Sequence, residues 1–192
     1  VIANTPARAV VLYNSSFTES SGRVLRQYPA GNVPASLAYY DSENVLVAVD
    51  GTPDRVDRIN LTSGETTTGY IIDSTNLTGV MKGIVRLSGG DILVSDAVSG
   101  AHLERFAVSG SVALRYTVGW PMTLLNTIQM AFPLANNTFL ACAAGTSDVV
   151  RTYSNVGVQL LSASATSPVP SLGVAHDVVG CVANSSGQIA VA

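Results

Sequence analysis

Aspartates recur in short polar loops that follow apolar runs: Asp50 and Asp54 in Asp50-Gly51-Thr52-Pro53-Asp54, Asp96 after Leu93-Val94-Ser95, and Asp148 after Gly145-Thr146-Ser147. Brought to one point, such carboxylates offer the oxygen ligands that Ca²⁺ takes. Left in their own loops, they form turns through Asx hydrogen bonds. His176-Asp177 is an adjacent base and acid able to move a proton, and it reads equally as a capped loop with a surface histidine. His102 is the other histidine of the chain, so a multi-histidine metal site is excluded. Trp120, within Val118-Gly119-Trp120-Pro121, is the one tryptophan. Exposed, it would stack on a sugar or anchor a partner; buried, it would cover a core. The G-x-S-x-G, HExxH, Walker A and GxGxxG motifs are absent. No catalytic residue is assigned, and the reading leans away from an enzyme.

Composition narrows the function classes. The 192 residues are 47% hydrophobic and 12% charged, with a net charge of −3. That is too apolar for a disordered chain and long enough for a sizeable core. Ten basic residues against thirteen acidic ones give no electrostatic footprint for nucleic acid. No run reaches the roughly 18 apolar residues of a membrane helix. The chain opens at Val1, as a processed or trimmed N-terminus would, and stops inside the apolar alternation Ile189-Ala190-Val191-Ala192.

Asn14, Asn60, Asn76, Asn136 and Asn184 each begin an N-x-S/T acceptor sequence. These sequons point to a glycosylated, extracellular or cell-surface protein. Cys142 and Cys181 are too far apart for a CxxC site. They are read either as one disulfide or as two small buried side chains.

The elements that must position these residues emerge from an internal repeat. Gly22, Gly64, Gly110 and Gly157 open similar turns, at steps of 42, 46 and 47 residues. Upstream of three of them stand Val56-Asp57-Arg58-Ile59, Leu103-Glu104-Arg105-Phe106 and Val149-Val150-Arg151-Thr152-Tyr153. Further upstream, Asn44-Val45-Leu46-Val47-Ala48 matches Asp91-Ile92-Leu93-Val94-Ser95, Thr138-Phe139-Leu140-Ala141-Cys142 and Gln188-Ile189-Ala190-Val191. The period is about 47 residues. Each unit holds four short strands bounded by Gly, Asn, Asp, Ser or Pro, and no stretch sustains a helical period. The fold is expected to be all-β, with antiparallel four-stranded units of the length used by β-propeller blades.

The unit "apolar strand, Asp-Gly loop, x-x-Arg-apolar strand, Ser-Gly turn, last strand" resembles the β-propeller superfamily of NHL, YVTN and lactonase-like repeats. The resemblance covers nearly all of the chain and identifies no subfamily. It implies one domain over residues 1–192, with blade units at about 34–78, 79–126 and 127–173. The unit at 1–33 is expected to be completed by 174–192, so that Gln188–Val191 pairs with the strand at Ala9–Tyr13 and a four-bladed ring closes. An arc of a larger propeller is the alternative. Labelling blade strands A to D, four of the five sequons fall in A–B and C–D turns. A ligand is therefore expected at the opposite end, where Asp50, Asp54, Asp96, Asp148, Trp120, His176 and Asp177 gather. Arg58, Arg105 and Arg151 are expected to form a ladder with acids such as Asp57 and Glu104.

Three functions remain. The first is a non-catalytic adhesion or binding module that presents loops to a carbohydrate or protein partner, with no cofactor unless Ca²⁺ joins the carboxylates. The second is a metal-dependent hydrolase of the lactonase type, with Asp50, Asp96, Asp148 and His176-Asp177 at the axis. The third is a subunit of an assembly completed by strand pairing at the edges near Val1–Tyr13 or Ile189–Ala192.

Overall fold

The structure, a computed structural model, describes residues 1–14, 22–75, 77–96, 101–109, 112–115, 122–124, 127–133, 138–144, 149–154, 159–164, 181–183 and 189–191. Strands β1 (Ile2–Asn4), β2 (Ala9–Leu12) and β3 (Arg23–Gln27) form a three-stranded sheet in that order. A four-stranded sheet follows, from β4 (Val33–Tyr39), β5 (Asn44–Asp50), β6 (Arg55–Asn60) and β7 (Thr66–Ile72). The third sheet holds β8 (Met81–Arg86), β9 (Ile92–Asp96), β10 (Ala101–Ser109) and β11 (Val112–Arg115). Its outer edge is shared, because β12 (Met122–Leu124) pairs with the first residues of β10 and β11 with the last. The fourth sheet comprises β13 (Thr127–Pro133), β14 (Phe139–Ala144), β15 (Val149–Tyr153) and β16 (Gln159–Ser164). A final pair joins β17 (Cys181–Ala183) to β18 (Ile189–Val191). All pairings are antiparallel, as short hairpin connections require. Among the described residues there is no helix, and none therefore long and apolar enough to cross a membrane.

The sheets stack in chain order. In β5, Val45, Val47 and Val49 join Val10, Leu25, Tyr28 and Ile59 in one core, shared with the first sheet. Leu46 and Ala48 face the other way, into a core with Val56, Tyr70, Leu77, Met81, Ile84, Ile92, Val94 and Phe106, shared with the third sheet. Successive side chains on a strand point to opposite faces, so an uninterrupted apolar run serves two cores at once. The leading strands also neighbour one another: β4 lies against β8, β8 against β13, and β13 against β17.

Three of these leading strands, β4, β8 and β13, carry one extra residue each. Pairing skips Ala35 between Pro34 and Ser36, Lys82 between Met81 and Gly83, and Gln129 between Ile128 and Met130. These β-bulges bend their strands at positions 47 residues apart, 35, 82 and 129. The repeat read from apolar runs and turns is thus also a repeat of backbone geometry.

Two expectations are corrected. No closed ring is found: Ile189–Val191 pairs with Cys181–Ala183, not with the strand at Ala9–Tyr13. The reason is occupancy, since β2 already has β1 on one edge and β3 on the other. Arg105 and Arg58 also have partners that the expected ladder did not include. Arg105 pairs with Asp91, its Nε donating to Oδ2 at 3.0 Å. Arg58 lies instead over the rings of Tyr70 and Tyr40, at 5.0 and 5.8 Å from their centroids. Strand alternation sends Asp57 to the face opposite Arg58, so the two adjacent side chains serve different cores. The side chain of Arg151 lies outside the described residues.

On its own face Asp57 takes a bond from Arg55 Nε at 3.0 Å and another from the Gly69 N–H at 2.7 Å. Arg55 NH1 donates onward to Asn32 Oδ1 at 2.6 Å. Gly69 sits where β7 bulges opposite Asp57, at φ +67°, a conformation open to glycine at little cost. The Asp57 side chain is fully buried. Removing one partner of a buried pair strands the other charge, so Asp57→Ala is expected to lower unfolding free energy by about 3–5 kcal/mol in urea titration. A loss under about 1 kcal/mol, the scale of exposed pairs, would show that the pair is effectively solvated.

Candidate functional site

The loops at one end of the stack bring together three of the carboxylates singled out in the sequence. Asp50 is the last residue of β5, and the short loop to β6 ends at Asp54, whose Oδ1 accepts from the Gly51 N–H at 2.7 Å. Asp96 ends β9 in the next sheet; its Oδ2 accepts from the N–H groups of Thr78 and Gly79 at 2.8 and 3.0 Å. Its Oδ1 is buried without a hydrogen-bond partner. Asp54 is only 5% exposed. Burial first of all, and then the charges of Asp50 and Asp96, push its carboxyl up to about 6, against the opposing effect of the Gly51 bond. Asp54 and Asp96 thus each organise backbone, and Asp50 and Asp96 both act on the carboxyl of Asp54. Among the described residues no three His, Cys, Asp or Glu side chains are arranged to hold a metal ion. The strand register sets His102 across from Asp96. Asp148, Trp120, His176 and Asp177 lie outside the described residues.

The opposite end carries a groove that the sequence reading did not single out. It has a volume of about 260 Å³ and is lined by Asn44, Arg58, Asn60, Glu65 and Thr67. Asn44 opens β5, Arg58 and Asn60 close β6, and Glu65 and Thr67 flank the start of β7. Two turns fix its walls. Asp41 Oδ1 accepts from the N–H groups of Glu43 and Asn44 and from Asn44 Nδ2, at 2.8, 2.8 and 2.9 Å. Against the opposing effect of desolvation, these bonds and then the charge of Arg58 hold its carboxyl below the usual range. Asn60 Oδ1 accepts from the N–H groups of Thr62 and Ser63 and from Ser63 Oγ, at 2.9, 2.8 and 3.1 Å. Behind Arg58, Tyr40 and Tyr70 meet edge to face at 5.9 Å, and Arg86 from β8 lies 5.3 Å from the Tyr40 ring centre. The repeat alone predicts for Arg58 only a place in a ladder of arginines and acids. The signal for more was the aligned unit, where Asp91 stands in the place of Asn44 and takes the arginine for itself.

Of the five sequons, Asn14 is exposed just after β2 and Asn60 is half-buried at the end of β6. Both precede the last strand of their sheets. Asn76, Asn136 and Asn184 lie outside the described residues. Cys142 belongs to β14 and Cys181 to β17, strands that lie against each other; their side chains are outside the described set.

No family model matches the chain, and no curated protein does. Among solved structures it is similar to a protein of unknown function from Bacteroides caccae, at 14% identity and a TM-score of 0.63. That match covers 98% of this chain and 62% of the other. It is also similar to a puromycin hydrolase, solved as its S511A mutant with PGG, at 16% identity and a TM-score of 0.51. That match covers 91% of this chain and 27% of the other. The chain thus spans less than two thirds of either neighbour. At these identities the likeness is one of fold alone.

The raised carboxyl of Asp54 has a defined consequence for stability. A folded-state value near 6, above that of the unfolded chain, means that the native state binds the extra proton. Stability is therefore expected to fall as pH rises through roughly 4 to 6 and to level off above. Asp54→Asn retains an oxygen for the Gly51 N–H and should flatten this slope. Urea midpoints between pH 4 and 8 for both proteins measure it, and an unchanged slope in Asp54→Asn would assign the effect elsewhere.

Proposed function

We propose that the stacked sheets are successive blades of a β-propeller, and that the chain acts as a non-catalytic extracellular binding module. In this reading residues 1–192 form one domain, its loops meet a carbohydrate or protein partner, and the sequons carry glycans. Neighbouring leading strands with a bulge every 47 residues support the propeller geometry. The observation that carries the binding reading is the meeting of Asp50, Asp54 and Asp96, drawn from two sheets to one loop end. Carboxylates gathered at strand ends accept hydrogen bonds from sugar hydroxyls or from donors of a protein.

A glycan array probed with the purified chain, with and without Ca²⁺, tests this. Retention on specific glycans that weakens in Asp50→Ala is the expected result. Metal-dependent hydrolysis of lactones or esters by the same preparation would replace it with the hydrolase reading.

A second reading, a subunit completed by another chain, is favoured by β18, which ends a sheet of two strands with its outer edge unpaired among the described residues. An open edge presents N–H and C=O groups to any passing strand. Concentration-dependent mass in sedimentation is the expected outcome, and a constant monomer mass would count against it.

A further inference from the structure

Arg58 lines its groove without a salt bridge among the described residues, although Glu65 shares the lining and Asp41 lies within reach of its charge. In the third sheet the equivalent arginine, Arg105, is neutralised by Asp91, 47 positions on from Asn44. The strand register is the same in both sheets: Arg58 stands opposite Leu46, and Arg105 opposite Leu93. With an amide in place of the acid, Arg58 has no ion-pair partner among the described residues. Tyr40 and Tyr70 support its guanidinium from behind and orient it. Asp41 does not take over the role of Asp91, because its Oδ1 holds its own turn and Asn44 Nδ2 bonds both of its oxygens.

We propose that this groove binds a carboxylate-bearing saccharide, its acid group on Arg58 and its hydroxyls on Asn44, Asn60, Glu65 and Thr67. Arg58 also bonds the Tyr70 hydroxyl, and a planar guanidinium with five N–H donors can still match a carboxylate in a two-point bond. The remaining lining supplies both senses of hydrogen bond. Asn44 Nδ2 is held by Asp41, so Asn44 offers its Oδ1; Asn60 Oδ1 is held by its turn, so Asn60 offers its Nδ2. Thr67 gives and accepts, and Glu65 accepts only. That last carboxylate disfavours a second acid in the ligand, which selects a singly charged sugar over an acidic polymer segment. The volume, about 260 Å³, falls just below the roughly 300–1,000 Å³ of sites that take drug-sized molecules. It suits about one sugar ring.

This site lies at the end opposite the Asp50, Asp54 and Asp96 loops, so either can fail alone. A glycan on Asn60 would occupy the same space, so this site belongs to protein whose Asn60 is unmodified even where the other sequons carry glycans, and the protein for the test is made in a bacterial host without N-glycosylation. Methyl glucuronide and methyl glucoside are titrated by calorimetry and by NMR shift mapping. The expected result is glucuronide binding at least about tenfold tighter than glucoside, the scale of one charge-assisted hydrogen bond. Arg58→Gln should remove that preference. So should the pair Asp41→Ser with Asn44→Asp, which copies the third sheet and gives Arg58 an internal partner, while Asp50→Ala should leave it intact. Equal binding of the two sugars, no shift at groove residues with excess glucuronide, or full glucuronide binding in both altered proteins would each overturn the proposal. Preferential binding of a glutamate-rich peptide would overturn it in favour of a protein ligand.

Discussion

A strand that is apolar on both faces cannot sit at the surface of a two-layer protein. Val45 to Val49 are all essentially excluded from water, with the valines turned to one core and Leu46 and Ala48 to another. Burial of apolar area is the dominant favourable contribution to folding, and it has no preferred direction. Such a strand is satisfied only when a sheet covers each side of it. Ile92 to Val94 repeat the condition in the third sheet, and the stack grows from that demand. An outer strand such as β3, where exposed Val24 adjoins buried Leu25, can afford one wet face.

Within this stack the charged residues differ sharply in burial. Arg55 and Asp57 are buried, and each finds partners on a different segment: the bulge at Gly69, the side chain of Asn32 and the carbonyl of Pro53. Burying a charge is tolerated only when its bonds are met, so this pair ties the loop before β4 to β6 and β7. Tyr28, from the first sheet, is buried beside Asp57, and burial together with that negative charge raises its hydroxyl well above the ordinary value. Asp50 and Arg58 are half-buried and Glu65 is exposed, which keeps all three within reach of solvent or ligand. The core thus delivers two chemically distinct ends, one acidic and one built around an arginine.

Much of this was legible in the sequence because both signals are local. Apolar runs ending in Asp-Gly or Ser-Gly mark strands and turns, and equal intervals between them mark the repeat. The same signals place Asp50 and Asp96 at the ends of their strands and Asp54 just before the next. What escaped depended on pairing rather than on pattern. Ile2–Asn4 is too short to announce itself as a strand, yet it fills the edge of β2 that a closing strand would have needed. Arg58 and Arg105 look alike in their own segments. Only the residue across the hairpin, Asn44 in one case and Asp91 in the other, decides whether the guanidinium is neutralised or free to act.

The extra residues Ala35, Lys82 and Gln129 bear on how such a chain changes over time. A bulge reverses the inward and outward alternation of its strand beyond that point, so every later side chain depends on it. Since the reversals recur at a constant interval, joining the chain between any two equivalent positions leaves each surviving strand in phase with its neighbours. Whole units can be gained or lost by recombination without exchanging wet and dry faces. Individual units, meanwhile, are free to diverge at single positions, as Asn44 and Asp91 have, and to acquire separate chemistry on a common frame.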